Sequence, residues 1–283
     1  MPEVHPTAHV DPAAELADDV EVGPFCYVGP GATVGAGTHL VAHVSVLGNT
    51  RIGEENTIWP QATIGADPQD KKFERGEDTL LEVGDRNDIR ENVTLHPGTK
   101  KGGGKTTIGS DNLLMVGCHV AHDCTVGDHC VISNSVQLAG HIRMGDHVTI
   151  AGLTGIHHFV SIGEYAFIGG LTRIVSDVPP FMIVEGNPSK VRGVNAIGLE
   201  RNGFDTETIG LLKNAYRQLF RGGGSDEEGA TTLSQSLEQL AEEAGDHPEI
   251  ERLVGFMRDS SNGMYGRYQE TQRTDSRRSG SSD

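Results

Sequence analysis

The sequence is poor in aromatic residues, cysteine and positive charge. Of 283 residues, 5% are aromatic, only 1 is tryptophan and 4 are cysteine. A secreted domain stabilised by many disulfides is therefore excluded. Lys and Arg number 23 against 40 Asp and Glu, which gives a net charge of −17. Because so acidic a chain repels phosphate backbones and anionic lipid surfaces, no nucleic-acid partner is expected.

Long apolar runs are also lacking. No run approaches the ~20 residues that a membrane-spanning helix needs, so no membrane span is expected. The N-terminal segment "MPEVHPTAHVDP" has neither the basic nor the apolar region of a signal peptide. These absences predict a cytoplasmic protein. Hydrophobic residues make up 36% of the chain, which is low for a compact α/β globule and predicts a thin core.

Instead of long apolar runs, the sequence has a six-residue repeat. One aliphatic residue recurs every six positions, interrupted by two insertions, over 26 hexads. These positions run from Val4 to Ile64, through Val83, Ile89 and Leu95, and from Ile108 to Ile174. Neither an α-helix nor a two-residue alternation keeps this period, but a prism with one short strand per hexad does. The pattern resembles the hexapeptide-repeat acyltransferases. That resemblance implies an all-β, left-handed parallel β-helix with three hexads per coil, hence roughly nine coils.

The four cysteines share one position of the hexad, four residues after the aliphatic residue, where most hexads have a small residue. They are Cys26, Cys118, Cys124 and Cys130. A small, apolar cysteine suits a narrow interior. We therefore interpret them as core residues and expect no metal site or redox pair among them.

Six of the 13 histidines are predicted to line one edge of the prism. Residues eighteen apart stack in successive coils, and both insertions, near 66–82 and 97–106, leave the same edge. The residues along it are His96, His119, His122, His141, His157 and His158. Clustered titratable groups beside charged loops indicate a polar cleft for a nucleotide-sized ligand. The remaining histidines are interpreted as solvated turn residues.

A set of stretches in chain order is more specific than the hexads. They are "VGPFCYVGP", "PQDKKF", "GDRNDIREN", "GSDNLLMVGCHVAHDCTVGDHC", "QLAGH", "GIHHF", "DVPPF" and "GVNAIGLERNGF". Together they cover essentially residues 4 to 220. On these motifs the chain resembles the UDP-N-acetylglucosamine O-acyltransferases. The resemblance implies transfer of an (R)-3-hydroxyacyl chain from acyl carrier protein to the 3-hydroxyl of UDP-N-acetylglucosamine, the first step of lipid A biosynthesis. It also implies a homotrimer with sites between subunits and no cofactor or metal.

The same resemblance assigns the catalytic residues. His122 matches the general base, a role that suits imidazole near neutral pH. Asp123 matches its partner, although adjacent residues of a flat strand face opposite ways, so the pair requires a corner there. The backbone N–H of Gly140 matches the oxyanion donor.

Further positions match the family's binding residues. The substrate-binding set is Gln69, Asp70, Lys72, His96, His119, His141, His157, His158, Asn195 and Arg201. Phe167 and Gly170 match the region that measures acyl-chain length. Two positions depart from the family pattern: His158 replaces a common glutamine, and Asn202 replaces an arginine.

Beyond the repeat, the sequence predicts helices and a tail. The β-helix is expected over residues 1–189 and a helical C-terminal domain over 190–262. Asp205 is a plausible N-cap for a helix carrying Ile209, Leu212, Tyr216 and Leu219. Two more amphipathic segments follow around 233–244 and 250–257. Residues 263–283 are polar and expected to be disordered.

Three alternatives remain open at this point. A γ-type carbonic anhydrase is also a trimeric left-handed helix and holds zinc with three histidines. A related hexapeptide acyltransferase would act on a 3-amino sugar nucleotide. A capped scaffold without activity explains the hexads but not the polar column on one edge.

Overall fold

The protein is a parallel β-helix followed by a small helical region. The computed structural model describes residues 1–221, 232–243 and 247–273. Each of the 26 hexads forms a short strand, and the strands stack into three parallel sheets, A, B and C, that are the faces of a prism.

The strand bounds follow the hexads. Sheet A contains Glu3–Val4, Glu21–Val22, His39–Leu40, Thr57–Ile58, Asp88–Ile89, Leu113–Leu114, Val131–Ile132, Thr149–Ile150, Phe167–Ile168, Met182–Glu185 and Lys190–Val194. Sheet B contains His9–Val10, Tyr27–Val28, Ser45–Val46, Thr63–Ile64, Thr94–Leu95, His119–Val120, Gln137–Leu138, Gly155–Ile156 and Arg173–Ile174. Sheet C contains Glu15–Leu16, Thr33–Val34, Thr50–Ile52, Leu80–Val83, Lys105–Ile108, Thr125–Val126, Arg143–Met144 and Ser161–Ile162.

The register is the one predicted by counting eighteen residues per coil. Val120 pairs with Leu138, and Leu138 with Ile156. Across the insertions, Ile64 pairs with Leu95 and Leu95 with Val120. Because the aliphatic residues stack in this way, they form one continuous core along the axis.

The cysteines are core residues, as predicted. All four are buried and unpaired. Burial raises the pKa of the Cys118 thiol to about 11 and of the Cys124 and Cys130 thiols to about 12. They are therefore protonated and unreactive at neutral pH.

The prism turns at residues with positive φ. The B–C edge, which joins sheets B and C, turns at Asp123, His141 and Phe159, with φ of 61°, 63° and 63°. The C–A edge turns at His129, His147 and Tyr165, and the A–B edge at Ser135, Leu153 and Leu171. A positive φ swings a side chain out of the strand direction, so the corners carry the outward-facing columns of side chains. The two insertions, 65–79 and 96–104, both connect sheet B to sheet C and so leave the B–C edge.

The coil continues beyond Ile174, the last position of the six-residue repeat in the sequence. After Ile174, Val178 bridges to Ile162 and Val184 pairs with Ile168, so the hexad register resumes past Pro179 and Pro180. Lys190–Val194 then adds an antiparallel strand to sheet A. The helical C-terminal domain was predicted to begin at residue 190, but this strand begins there instead. The strand was not predicted because it does not follow the six-residue repeat.

Among the described residues, four α-helices pack at the end of the prism. They are α1 (Ala196–Arg201), α2 (Thr206–Phe220), α3 (Leu233–Glu243) and α4 (Pro248–Ser261). Asp205 caps α2 by accepting a hydrogen bond from Thr208 N, as predicted. Residue 244, at the end of one predicted amphipathic segment, lies outside the described residues, as do residues 222–231. Among the described residues, no helix has the length and apolar character to cross a membrane.

Residues 263–273, which the sequence placed in a disordered tail, form an ordered C-terminal arm. A 3₁₀ helix, Tyr268–Gln272, lies within it. Arg267 and Glu270 are buried and 3.3 Å apart, and Arg267 Nη1 donates to Val175 O at 2.6 Å. The prediction was wrong for this arm because polar hydrogen bonds, rather than apolar contacts, attach it to the coil. Residues 274–283 lie outside the described part of the chain.

Candidate active site

A histidine and an aspartate form a bonded pair at the B–C edge. His122 Nδ1 lies 2.7 Å from Asp123 Oδ2. The Asp123 side chain is 1% exposed and that of His122 is 15% exposed. The corner that the pair requires is present, since Asp123 has a φ of 61°. With Nδ1–H donated to the carboxylate, the lone pair of Nε2 is available to accept a proton.

The 96–104 insertion holds the aspartate in place. Thr99 donates to Asp123 twice, from its backbone N to Oδ1 at 2.8 Å and from its hydroxyl to Oδ2 at 2.7 Å. Asp123 N in turn donates to Thr106 Oγ1 at 2.8 Å. Gly102 approaches so closely that a Cβ there would lie 2.0 Å from the carboxylate. The carboxylate is therefore fixed before any ligand binds.

Gly140 lies directly against the His122 ring. A Cβ at this position would be 2.6 Å from His122 Cε1 and 2.8 Å from Nε2. Within the described chain, Gly140 N donates no hydrogen bond, whereas its neighbours Ala139 and His141 donate to Ile156 O and His122 O. The glycine thus leaves room for the imidazole and presents an N–H beside it.

The six histidines predicted to line this edge form what we call the histidine ladder. The other five extend along sheet B and the B–C edge. The His96 and His119 rings meet edge to face at 4.7 Å, and Thr94 Oγ1 lies 2.8 Å from His119 Nδ1. His141 Nε2 is 3.8 Å from Asp123 Oδ2. One coil further, the His157 and His158 rings are 3.9 Å apart. The structure therefore brings the six predicted histidines into one column.

Several of these histidines are held neutral. Burial lowers the pKa of His96 to about 4, helped by the neighbouring His119 and His122. Burial also lowers the pKa of His119, and that of His158 to about 4 with help from His157. A site lined by neutral imidazoles can hydrogen-bond a sugar without repelling cations.

His96 should make the protein less stable in acid. Its folded pKa lies below its ordinary 6.5, so the unfolded chain binds the proton more readily and stability is lost as pH falls from 6.5 towards 4. At pH 5 this one group costs about 2 kcal/mol. In urea unfolding at pH 7.5 and pH 5, we expect His96→Gln to show a smaller loss between the two pH values than the wild type. The comparison at pH 7.5 isolates the packing cost of the substitution. Equal losses in the two proteins would contradict the prediction.

A polar cavity of about 500 Å³ opens beside the pair. It is bounded by the 65–79 and 96–104 insertions, by sheet C and by the C-terminal arm. Asp70 and Lys72 line it together with Asp123 and His141, whereas Gln69, in the same insertion, is exposed and does not line it. A volume of this size suits a small-molecule ligand.

A second, apolar groove of about 370 Å³ lies on sheet B. Its lining consists of His119, Gln137, Leu138, Ala139, Gly155, Ile156, His157, Arg173, Ile174 and Val175. Gly155 leaves it open, since a Cβ there would meet nothing within 4 Å. The groove and the polar cavity thus lie on the two sides of the His122 edge.

Four predicted site residues lie elsewhere on the same chain. Asn195 donates to Tyr165 O, which belongs to the C–A edge, and Arg201 is exposed at the end of α1. Phe167 is on sheet A, and Gly170 precedes the A–B corner. Neither Phe167 nor Gly170 lines the apolar groove of its own subunit.

The contact between His122 Nδ1 and Asp123 Oδ2 has the geometry of a hydrogen bond, not of two ligands on one metal ion. His122, Asp123 and His141 could each supply one ligand atom, and these atoms lie within 4.8 Å of one another. Two ligands of tetrahedral zinc stand ~3.3 Å apart when each is ~2.0–2.1 Å from the metal. His122 Nδ1 and Asp123 Oδ2 are only 2.7 Å apart, which is the length of a hydrogen bond. The two atoms bond each other, and this suits a base with its partner.

Several residues around the site were not predicted from the sequence. Thr99 and Thr106, which hold Asp123, lie beside or within an insertion and carry no motif signal. Phe159 stacks on His141 with ring centroids 4.3 Å apart. Its hexad corner could have revealed it, because Phe159 lies eighteen residues after His141. The arm residues Gln269, Gln272 and Arg273 line the cavity and had no sequence signal.

A hexad prism with a histidine–aspartate pair on one edge defines a hexapeptide-repeat acyltransferase. Residues 105–140 match the model described as bacterial transferase hexapeptide (six repeats). Residues 177–265 match the model of UDP-N-acetylglucosamine O-acyltransferase, domain 2.

Solved structures agree over nearly the whole chain. The UDP-N-acetylglucosamine O-acyltransferase of Moraxella catarrhalis is 43% identical, with 89% of this chain and 95% of that one covered and a TM-score of 0.83. The enzyme of Bacteroides fragilis is 39% identical, covering 90% and 97%, with a TM-score of 0.85. That of Arabidopsis is 35% identical, covering 91% and 96%, with a TM-score of 0.80. This chain belongs to the UDP-N-acetylglucosamine O-acyltransferase family.

The family settles two of the sequence-based predictions. The fold class, a left-handed parallel β-helix with C-terminal helices, is confirmed, with about 10 turns instead of nine. The additional turn comes from the strand that contains Val184. The enzyme class is also confirmed as acyltransferase, and the carbonic anhydrase and scaffold alternatives fall away.

Proposed function

We propose that this chain transfers an (R)-3-hydroxyacyl group from acyl carrier protein to the 3-hydroxyl of UDP-N-acetylglucosamine, the first step of lipid A biosynthesis. The reaction takes place in the cytoplasm. It has two substrates, the sugar nucleotide and the loaded carrier protein, and needs no cofactor. The observation that carries the proposal is the His122–Asp123 pair beside the Gly140 N–H, in a chain whose solved relatives are UDP-N-acetylglucosamine acyltransferases.

His122 acts as the general base. As the sugar 3-hydroxyl attacks the thioester carbon, Nε2 takes its proton, and Asp123 holds Nδ1–H and stabilises the imidazolium that forms. Thr99 keeps the carboxylate oriented throughout. This arrangement is worth ~10²–10⁴ in rate.

Gly140 N–H stabilises the negative oxygen of the tetrahedral intermediate, as a preorganised backbone donor does in acyl transfer. When the intermediate collapses, the C–S bond breaks and the His122 imidazolium returns its proton to the departing thiolate of phosphopantetheine. The products are the acylated sugar nucleotide and the free carrier thiol, and His122 is again neutral.

The remaining predicted residues are assigned to substrate binding. Asp70, Lys72 and His141 face the polar cavity, which takes the sugar nucleotide. Gln69 contributes from the same insertion. His119 and His157 border the apolar groove, and His96 and His158 support them from either end of the ladder.

A homotrimer accounts for the residues that lie apart. Asn195 and Arg201 are at or near the C–A edge, whereas His122 is on the B–C edge. Both groups can contact one nucleotide only if a neighbouring subunit brings its C–A edge to this site. A flat-sided prism packs readily with cyclic symmetry, and closed symmetry is the rule for soluble oligomers.

The apolar groove on sheet B is assigned to the acyl chain. It begins between His119 and His157 and runs beside Gly155 towards Val175. The predicted chain-length residues Phe167 and Gly170 act here only from a neighbouring subunit, because they lie on or beside sheet A.

Gly155→Leu should shorten the preferred acyl chain. Gly155 has no positive φ, and a Cβ there would have no atom within 4 Å. Leucine therefore fits the backbone and fills the groove. A pocket changed by a few methylenes discriminates by ~10–200-fold, so kcat/KM for the longest accepted chain falls by that order while short chains are spared. Steady-state rates with carriers loaded with different chains measure this. Gly255→Leu, at an exposed helix position with equal space, is the control. An equal fall for all chains would contradict the assignment.

The reaction itself is tested with purified protein, UDP-N-acetylglucosamine and carrier protein loaded with 3-hydroxyacyl chains of several lengths. We expect one chain length to give the 3-O-acylated product, identified by mass spectrometry. The corresponding 3-amino sugar nucleotide is assayed in parallel and should react poorly. No product with any chain would refute the proposed function, and a preference for the amine would reassign the acceptor.

A further inference from the structure

The C-terminal arm, residues 263–273, forms part of the wall of the polar cavity. Gln269, Gln272 and Arg273 line the same space as Asp123 and His141. The arm follows the last α-helix and returns to the coil beside the B–C edge. A segment more than a hundred residues from His141 in sequence thus borders the candidate active site.

Arg273 is connected to the catalytic pair through stacked rings. Its Cζ atom is 4.8 Å from the centroid of the Phe159 ring, within the range of a cation–π contact. Phe159 stacks on His141 at 4.3 Å with an angle of 7° between the planes. His141 Nε2 is 3.8 Å from Asp123 Oδ2. The stacked rings of Phe159 and His141 therefore lie between the Arg273 guanidinium and the Asp123 carboxylate, which holds His122.

The arm is held by hydrogen bonds in a defined position. Tyr268 N donates to Asp177 Oδ2 at 2.9 Å, and Gln269 Nε2 donates to Ser161 Oγ at 3.1 Å. Arg273 Nη1 donates to Glu270 Oε1 at 2.7 Å, and the Arg273 side chain is 22% exposed. A guanidinium offers five donors in one plane, so it can hold Glu270 and bind an anion as well.

The cavity lining is richer in cations than the chain as a whole. Five cationic side chains line it, against three acidic ones, in a protein of net charge −17. The cations are Lys72, Lys101, Lys105, Arg143 and Arg273. Two of them also pair with carboxylates, Lys105 with Glu82 and Arg273 with Glu270. This local concentration of cations favours an anionic ligand group.

We propose that Arg273 binds a phosphate group of a substrate at the arm end of the cavity. The inference rests on the proposed function, in which both substrates carry phosphate: the diphosphate of the sugar nucleotide and the phosphodiester of the carrier's pantetheine arm. The planar fork of arginine suits two phosphate oxygens, and Phe159 and Glu270 keep it in place. Arg273 is thus a substrate-binding residue supplied from outside the β-helix.

Arg273→Ala tests the proposal through the two Michaelis constants. We expect the KM of one phosphate-bearing substrate to rise about ten-fold or more, the weight of a charge-assisted hydrogen bond, while kcat changes little. The substrate whose KM rises identifies the phosphate: the sugar nucleotide for the diphosphate, the carrier for the phosphodiester. Arg273→Lys should recover part of the loss, because it keeps the charge but not the fork.

Two further measurements keep the test decisive. Arg258→Ala, at an exposed position of α4 away from the cavity, is the matched control and should leave both constants unchanged. Calorimetric titration of UDP and of uridine into wild type and Arg273→Ala measures binding without turnover. A wild type that makes no product refutes the proposed function itself. An active wild type, with unchanged KM values and UDP binding in a folded Arg273→Ala variant, overturns the role of Arg273.

Discussion

Replacing His122 with alanine is expected to lower kcat by about 10²–10⁴-fold, the usual contribution of a general base. The imidazole is bonded to a buried carboxylate through Nδ1, and Gly140 approaches the ring at Cε1. Among the described residues, no other imidazole has the same relation to both groups: His141 Nε2 is 3.8 Å from Asp123 Oδ2, beyond hydrogen-bond distance. Steady-state acyl transfer from loaded carrier protein to UDP-N-acetylglucosamine measures the loss.

The control for this prediction is a histidine of a distant coil. His43 is exposed at the corner between Leu40 of sheet A and Ser45 of sheet B, and it stacks on Phe25. His43→Ala should change kcat by no more than about two-fold, as surface substitutions do. Thermal melting of both variants separates a lost base from a damaged fold. Wild-type turnover by a folded His122→Ala protein would show that another group is the base.

The β-helix is open to prediction because its burial pattern is local. Each hexad turns one aliphatic residue inward, so the position of every strand up to Ile174 is visible as a period of six. Counting eighteen per coil then places Ile64, Leu95 and Val120 in one column even across the insertions. The histidine ladder follows from that count without any knowledge of the structure.

The predictions fail where contacts are polar or have no period. Val178 and Val184 continue the coil around Pro179 and Pro180, but Val178 follows Ile174 by four residues instead of six, which breaks the count. The C-terminal arm was interpreted as disordered because its composition is polar, although a buried Arg267–Glu270 pair and backbone hydrogen bonds hold it. Composition measures apolar burial and does not reveal such attachments.

Some features of the candidate site could likewise be predicted from the sequence, and others could not. The corner at Asp123 could be anticipated, because adjacent residues can form a pair only where the strand turns. Thr99, which fixes the carboxylate, could not, because an insertion carries no register. Asn195 lies near another edge of the same chain, and the sharing of a site between subunits that we propose would leave no periodic signal in one sequence.

Gly140→Ala is the second prediction with a large expected effect. The new Cβ would lie 2.6 Å from His122 Cε1, closer than real Cβ contacts allow, so the ring must move. The Nδ1 atom of the ring is held by Asp123, whose carboxylate is fixed by Thr99. Movement therefore weakens the bond to Asp123 or shifts Nε2 from the attacking hydroxyl. A misplacement of this kind costs about 10²-fold in kcat.

A double variant shows whether the alanine acts through the ring. Gly140 has no positive φ and keeps its N–H when it becomes alanine, so neither backbone strain nor a lost oxyanion donor is expected. Once His122 is alanine, there is no ring to displace. The His122→Ala/Gly140→Ala protein should then be about as active as His122→Ala alone, as residues of one unit behave. Gly255→Ala, at an exposed helix position with open space around it, is the matched single substitution and should leave kcat near that of the wild type. If the two losses multiply in the double variant, the glycine acts on the intermediate directly, and the clash with His122 is not its main effect.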